Sequence, residues 1–143
     1  MPVPSRVSLV TLGVEDVARS TAFYRDLGWA LSPASTDEVS FFHTAGAILS
    51  LYQVDDLVKD SGTISAVVPG FRGVTLAINV ETAEEVDEAV DDARRAGANV
   101  LQAPAAMDWG GYIGYFADPD EHVWEVAYNP GFPLGPDEVP MLP

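Results

Sequence analysis

At the start of the chain, the hydrophobic and polar positions predict a strand, a helix and then three short strands. Residues 7–14 form an apolar, β-branched run of strand length, and Glu15 and Asp16 after it are suited to begin a helix. The helix predicted over 17–27 places apolar side chains on one side at spacings of three and four, and Gly28 ends it. Short strands are predicted next, at 29–32, 38–43 and 47–52.

The same order of elements recurs in the second half of the chain. Residues 73–80 are again strand-like, and Thr82 with Glu85 predicts a capping box at the start of a helix that Gly97 ends. The two halves are offset by about 66 to 75 residues, which indicates an internal structural repeat. Strands at 99–102, 112–116 and 122–128 complete the second β, α, β, β, β set.

Side chains alternate across a strand, so each strand has a helix-facing side and an open side. Val10, Leu12 and Val14 are predicted to face the first helix, and Trp124 and Tyr128 to join the core beside the second. The open side then carries a mixture of small polar and apolar residues, typical of a ligand-binding surface. Its members are Leu9, Thr11, Ser50, Tyr52, Thr75, Asn79, Glu125 and one of Phe41 or Phe42, of which Phe42 is taken as the candidate.

We expect a single domain with a connecting segment and a tail. The first module is predicted over about 5–53 and the second over about 71–130. The polar segment 54–70 is predicted to connect them and to contain a helical turn at 55–59. The Pro-rich tail, 131–143, is predicted to be extended or disordered.

Composition narrows the classes of function. The chain has 143 residues, of which 48% are hydrophobic, and a formal net charge of −15, which disfavours binding to nucleic acid or to an anionic membrane. This charge either attracts a cationic ligand or forms a solvated acidic surface. There is no cysteine, no signal-peptide pattern and no apolar run of membrane-spanning length, so a cytoplasmic protein is expected.

Three segments together resemble the glyoxalase/bleomycin-resistance/dioxygenase (vicinal oxygen chelate) family. They are VEDVARSTAFYRDLGW at 14–29, ETAEEVDEAVDDARRAGA at 81–98 and WGGYIGYFADPDEHVWEVAYNP at 109–130. The resemblance implies an α+β fold of two βαβββ modules that form a curled eight-stranded mixed sheet around a cavity, usually in a homodimer. The family's Asp-Pro-Asp turn usually continues with glycine, whereas Glu121 stands here, so the local turn geometry is in question.

Metal-dependent members of this family hold a divalent ion with four side chains, and the resemblance maps those places onto Leu9, Ser50, Thr75 and Glu125. Only Glu125 is a competent ligand, because leucine has no lone pair and neutral hydroxyls bind transition metals poorly. No metal or other cofactor is therefore expected. His43, at the end of a strand, and His122, in a turn, are the two histidines, and neither lies at a ligand position.

The remaining candidates favour binding of a small molecule. Glu125 is predicted to anchor a cationic or hydrogen-bonding ligand or to act as a general base, unless Ser50, Thr75 or Asn79 satisfies it across the sheet. Trp109 and Tyr112 border a glycine-containing loop suited to cover a flat ligand.

Three functions stay open at this point. The first is a metal-free protein that sequesters an aromatic or cationic, antibiotic-like molecule. The second is a lyase, isomerase or dioxygenase that uses Glu125 as a base or a Ni, Fe, Mn or Zn ion. The third is a structural dimer without a ligand.

Overall fold

The computed structural model describes residues 3–63 and 70–142. The chain divides into two compact units, Met1–Val67 and Val68–Pro143, and each is described by itself. Their boundary falls within the predicted connecting segment, of which residues 64–69 lie outside the described part. The elements are β1 (Leu9–Val14), α1 (Val17–Asp26), β2 (Val39–Phe42), β3 (Ile48–Gln53), α2 (Val54–Ser61), β4 (Thr75–Val80), α3 (Ala83–Arg95), β5 (Asn99–Ala106), β6 (Tyr112–Ala117) and β7 (Val123–Tyr128).

The sheets of the two units share one strand order. In the first unit β1 pairs in parallel with β3, and β3 pairs antiparallel with β2. In the second unit β4 pairs in parallel with β7, and β6 and β5 follow antiparallel. The described residues thus form a three-stranded and a four-stranded sheet, which confirms an α+β fold, whereas the expected curled sheet of eight strands is not seen among them.

The strand expected at 29–32 is reduced to one bridge, between Leu31 and Phe42. Neither end of this segment can extend the pairing. The Trp29 amide already donates to the Tyr24 carbonyl at the end of α1, and Pro33 has no amide hydrogen to donate. Only a short stretch between them is left to pair. This bridge occupies the place in the first sheet that β5 occupies in the second.

Both long helices end in the same hydrogen-bonded motif. After α1 the Gly28 amide donates to the Arg25 carbonyl, and Gly28 has a φ of 92°. After α3 the Gly97 amide donates to the Arg94 carbonyl, with a φ of 108°. Together with the bonds from the residue that follows each glycine, these are Schellman motifs, and they confirm the predicted helix ends.

The helix starts also follow the sequence. Asp16 caps α1 through its bond from the Arg19 amide. Thr82 and Glu85 form the predicted capping box, in which each side chain accepts from the other residue's backbone amide.

The core of each unit lies between its long helix and one face of its sheet. In the first unit Leu12 and Val14 are buried as expected, and Tyr24 of α1 packs against Phe42 and Trp29 with ring centroids 5.9 Å and 5.5 Å away. In the second unit the rings of Phe116 and Trp124 stack with centroids 6.4 Å apart beside buried residues of α3. The open face of each sheet is therefore the one that faces away from α1 or α3.

Two segments differ from the expected turn and tail. The helical turn predicted at 55–59 is a two-turn helix, α2, that ends at Gly62. The described part of the tail folds back on itself, because Leu134 bridges Pro140 and the Gly135 amide donates to the Val139 carbonyl. Within residues 3–63 and 70–142, no helix combines the length and apolar character needed to cross a membrane.

Candidate functional site

The open face of the first unit carries small and apolar side chains. The strand register aligns Thr11 with Ser50 and Ser50 with Phe41, so these three form one row across the sheet. Leu9 lies on the same face, two residues before Thr11, and is 46% exposed, whereas Ser50 is buried. The row contains hydroxyls and an aromatic ring but no group that carries charge at neutral pH.

Phe42 is not on the open face, which corrects the candidate chosen from the sequence. It pairs with Leu49, is fully buried and packs against Tyr24 of α1. Its neighbour Phe41 takes the open-face position instead, because adjacent residues of a strand point to opposite sides. Phe42 is therefore a core residue.

One end of this face is covered by α2. A Cβ atom built on Gly13 would lie 3.1 Å from Val54 Cγ2 and 3.3 Å from Leu57 Cδ2, so the helix packs directly on the glycine. Tyr52, the strand partner of Gly13, donates its hydroxyl to Asp60 Oδ2 at 2.9 Å. This hydrogen bond raises the pKa of Tyr52. Tyr52 is thus on the predicted face, but its hydroxyl is used to hold α2.

The open face of the second unit carries an acid. Glu125 lies between Ala77 of β4 and Tyr115 of β6 in one row, and Tyr115 is paired in turn with Gln102. The Tyr115 hydroxyl donates to Glu125 Oε2 at 2.6 Å. The hydrogen bond to Glu125, followed by partial burial, raises the pKa of Tyr115. Thr75 and Asn79 share this face, as predicted, but neither is the partner of the acid.

The other oxygen of Glu125 is available. Among the described residues, Tyr115 is the hydrogen-bond partner found for this carboxylate, and it contacts Oε2. In the described part of the chain, every buried side-chain nitrogen or oxygen has a hydrogen-bond partner. Since Oε1 has none there, this atom is not buried, and solvent reaches it. A carboxylate with one oxygen held by a neighbour and one exposed is oriented to accept a hydrogen bond from a ligand.

Sequence reasoning missed Tyr115, although a signal for it was present. The hairpin of β6 and β7 turns at Asp118, whose side chain accepts from the amides of Asp120 and His122 at 2.9 Å each. Counting the pairs outward from that turn places residue 115 opposite residue 125. The partners predicted for Glu125 were Ser50 on β3 and Thr75 and Asn79 on β4, whereas the observed partner is on β6.

Tyr112 is also not on the open face, because it precedes Tyr115 by three residues and alternation reverses its direction. Its hydroxyl donates to Asp87 of α3 at 2.8 Å, which raises the pKa of Tyr112. It is therefore a helix-side residue and not part of a ligand-binding loop. Trp109, in contrast, is 53% exposed and lies against Gly111.

The two histidines lie apart from both rows. The Arg72 guanidinium donates to His122 Nδ1 at 3.0 Å and also to the Asp120 carbonyl. His43 is exposed after β2. Within residues 3–63 and 70–142, no three His, Asp or Glu side chains are grouped as a metal ion requires.

Comparisons with known proteins agree with this architecture. The sequence profile of the Glyoxalase/Bleomycin resistance protein/Dioxygenase superfamily matches residues 6–126. A crystal structure of a glyoxalase-related enzyme from Fulvimarina pelagi is 34% identical, with a TM-score of 0.88 and coverage of 97% of this chain and 99% of that chain. None of the curated proteins compared with the sequence matches it.

Two further solved structures are less similar. A glyoxalase/bleomycin resistance protein/dioxygenase from Nocardioides is 26% identical, with a TM-score of 0.75 and coverage of 94% and 93% of the two chains. A lactoylglutathione lyase from Agrobacterium tumefaciens is 22% identical, with a TM-score of 0.67 and coverage of 89% and 96%, and this likeness concerns the fold alone.

Two α+β units with the same strand order and the same helix ends define a protein of repeated modules. The chain belongs to the glyoxalase/bleomycin resistance/dioxygenase superfamily.

Proposed function

We propose that this protein binds and sequesters a small organic molecule that carries a hydrogen-bond donor, most favourably a protonated amine. The observation that supports this proposal is the Tyr115 hydroxyl, which donates to Glu125 Oε2 at 2.6 Å and leaves Oε1 open on the sheet face. A charge-assisted hydrogen bond is stronger than one between neutral groups, so a cationic donor gains most from Oε1. The net charge of −15 further attracts cations.

We further propose that binding is independent of a metal ion. The positions that correspond to the family's metal ligands are Leu9 and Ser50 in the first unit and Thr75 and Glu125 in the second. An alkyl side chain and two hydroxyls are poor donors for a transition metal, and one oxygen of the remaining carboxylate already accepts from Tyr115. These residues do not fit a divalent ion.

An enzymatic role is the second candidate, and one comparison favours it. The relative at 34% identity is described as a glyoxalase-related enzyme. In that case Glu125 Oε1 would take a proton from the bound substrate as a general base. Binding is the first proposal because it requires of Glu125 only a hydrogen-bond acceptor, which the carboxylate oriented by Tyr115 provides.

The test combines metal analysis with a ligand screen of the purified protein. We expect less than stoichiometric Ni, Fe, Mn and Zn, and a melting temperature that a chelator leaves unchanged. A thermal-shift screen against cationic glycopeptides, aromatic antibiotics and thiol adducts of 2-oxoaldehydes then identifies the ligand class. Stoichiometric metal whose removal destabilises the protein would overturn metal-independent binding.

Substitution of Glu125 tests whether its carboxylate binds the ligand. Glu125→Gln should weaken binding of a cationic hit by roughly tenfold or more, since a hydrogen bond to a charged group contributes about 1.5–3 kcal/mol. Glu88→Gln, which removes one charge from the exposed face of α3, is the matched control and should change affinity little. Equal affinities of the two variants would remove Glu125 from the site. Turnover of a thiol adduct that Glu125→Gln abolishes would favour the enzyme instead.

A further inference from the structure

The Tyr115 hydroxyl and the Glu125 carboxylate form a pair whose spacing the two strands fix. β6 pairs with β7 without a bulge, and Tyr115 stands directly opposite Glu125. The hairpin that joins these strands is held at Asp118, whose Oδ1 accepts from the amides of Asp120 and His122. Directly opposed residues of an antiparallel pair keep their Cβ atoms about 4.5–5.5 Å apart, so the hydroxyl stays within reach of the acid.

The hydroxyl uses one oxygen of the carboxylate. Tyr115 donates to Glu125 Oε2 at 2.6 Å, a distance typical of a bond from a hydroxyl to a charged oxygen. Among the described residues none donates to Oε1, and this atom is not buried. The carboxylate therefore offers a ligand one free oxygen and one that is already bonded.

The other strand neighbour of Glu125 is an alanine. In the parallel pair with β4, Glu125 is aligned with Ala77, which is exposed. Ala127 lies on the same face of β7, two residues after Glu125. Methyl groups neither donate nor accept hydrogen bonds, so the donor of a ligand at Glu125 has no polar competitor at these two positions.

Cations differ in how many oxygens of a carboxylate they use. A protonated tertiary amine has a single N–H donor, and one oxygen satisfies it. Guanidinium and amidinium groups present two parallel N–H donors, and they bind a carboxylate best when each donor reaches a different oxygen. A second N–H directed at Oε2 would have to share that atom with the Tyr115 hydroxyl beside it. The hydroxyl therefore hinders the parallel arrangement and leaves the single bond to Oε1 unaffected.

We propose that Tyr115 is a specificity-determining residue, which favours ligands with a single ammonium donor over ligands with a forked guanidinium or amidinium group. It acts through Glu125, because its hydroxyl occupies Oε2 and leaves Oε1 open. This inference rests on the proposed function and adds to it the chemical class of the cation that the site takes.

Two cations of equal charge and similar size are the probes. Protonated N,N-dimethylbenzylamine has one N–H donor, whereas protonated benzamidine has a parallel pair. Calorimetry gives their affinities for the wild type, to which we expect the amine to bind at least as tightly as benzamidine. Tyr115→Phe, which removes only the hydroxyl, should shift the ratio of the two affinities roughly tenfold towards benzamidine, the effect of one hydrogen bond to a charged group.

Tyr112→Phe is the matched control. The Tyr112 hydroxyl also donates to a carboxylate, that of Asp87 at 2.8 Å, but on the helix side of the sheet, so its removal should leave the ratio unchanged. The ratio separates specificity from a general loss of structure, since partial unfolding weakens the binding of both cations alike. Thermal melts show whether each variant is folded.

Three results would overturn the proposal. One is an unchanged ratio in a folded Tyr115→Phe protein, and another is an equal shift of the ratio in Tyr112→Phe. The third is a wild type that binds benzamidine more tightly than the amine. That comparison needs no variant, so it tests the proposal even where Tyr115→Phe does not fold.

Glu125→Gln distinguishes this proposal from the binding function on which it rests. If Glu125→Gln weakens both cations while Tyr115→Phe leaves their ratio unchanged, the specificity proposal fails and the anchor stands. If Glu125→Gln leaves both affinities unchanged, the anchor is wrong, and so is the specificity that acts through it. If neither cation binds to the wild type, both proposals are wrong for this class of ligand.

Discussion

The two units share a scaffold but differ in the chemistry of their open faces. Thr11, Ser50 and Phe41 of the first unit correspond in register to Ala77, Glu125 and Tyr115 of the second. The first row is uncharged, whereas the second contains an acid and the hydroxyl that orients it. Backbone pairing and helix ends are thus common to both units, while the ability to hold a charged donor belongs to the second.

The largest expected effect is the loss of stability when a core phenylalanine of either unit is replaced. Equal losses would show that the two cores are equivalent. Phe42 and Phe116 occupy corresponding helix-side positions and are both buried. Alanine at either should lower the free energy of unfolding by about 3–5 kcal/mol because it leaves a cavity in a packed core. Chemical denaturation measures the loss, and Phe41→Ala is the open-face control with a smaller expected loss. A stable Phe42→Ala protein with impaired ligand binding would contradict the assignment of Phe42 to the core.

The next largest effect is the loss of stability when the glycine that ends α1 or α3 is replaced. Gly28→Ala and Gly97→Ala should each lower the free energy of unfolding by about 1–2 kcal/mol, because both glycines have φ near +100° and an L side chain is strained there. Gly46→Ala, in open space without a positive φ, should have a smaller effect and serves as the control. Unequal losses at residues 28 and 97 would show that the two ends are not equivalent.

Glu121 marks a place where the second unit departs from the family pattern. It has a φ of 67°, and its amide donates to the Asp118 carbonyl in the turn before β7. Glu121→Gly should raise the free energy of unfolding by up to about 1 kcal/mol, since glycine adopts this conformation without strain. The contact of its carboxylate with the Gly70 amide is exposed and offsets little of this gain. A destabilised Glu121→Gly protein would mean that this contact outweighs the strain.

The smallest expected effect is a pH dependence of stability. It belongs to the row that contains Tyr115 and Glu125 and not to the row of Thr11, Ser50 and Phe41. Tyr115 has its pKa raised above 10.0 by the hydrogen bond to Glu125, so the bond stabilises the fold below the pKa of the unfolded chain. That stability is lost as the pH rises through the pKa of the folded state. Glu125→Gln should make one tyrosine ionise at lower pH in a titration of tyrosinate absorbance. An unchanged titration would show that the pair does not form in solution.

Much of the fold could be predicted because it depends on local chemistry. Gly28 and Gly97 are needed where a helix ends with positive φ, and Thr82 with Glu85 caps a helix within four residues. The core positions Leu12 and Val14 of β1 followed from alternation, since the Thr11 and Gly13 next to them suit the open face better than a packed core.

The site was less predictable because it depends on register between strands. Phe41 and Phe42 are equally apolar, so only the pairing with Ser50 and Leu49 shows which of them faces the helix. Tyr112 and Tyr115 differ in the same way, and their partners Asp87 and Glu125 belong to different elements. A shift of one residue reverses every side chain of a strand, so the side that each aromatic residue faces follows from the strand pairing and not from its own residue type.

The sequence by itself determined the order of the elements, the helix ends and the place of one acid among weak metal ligands, because each depends on residue type and near neighbours. The tertiary structure decided which aromatic residues reach the open face, that Tyr115 orients Glu125, and that Trp109 lies against Gly111. Those contacts join residues through strand pairing and turn geometry, and their energies depend on a few ångströms that residue patterns do not encode.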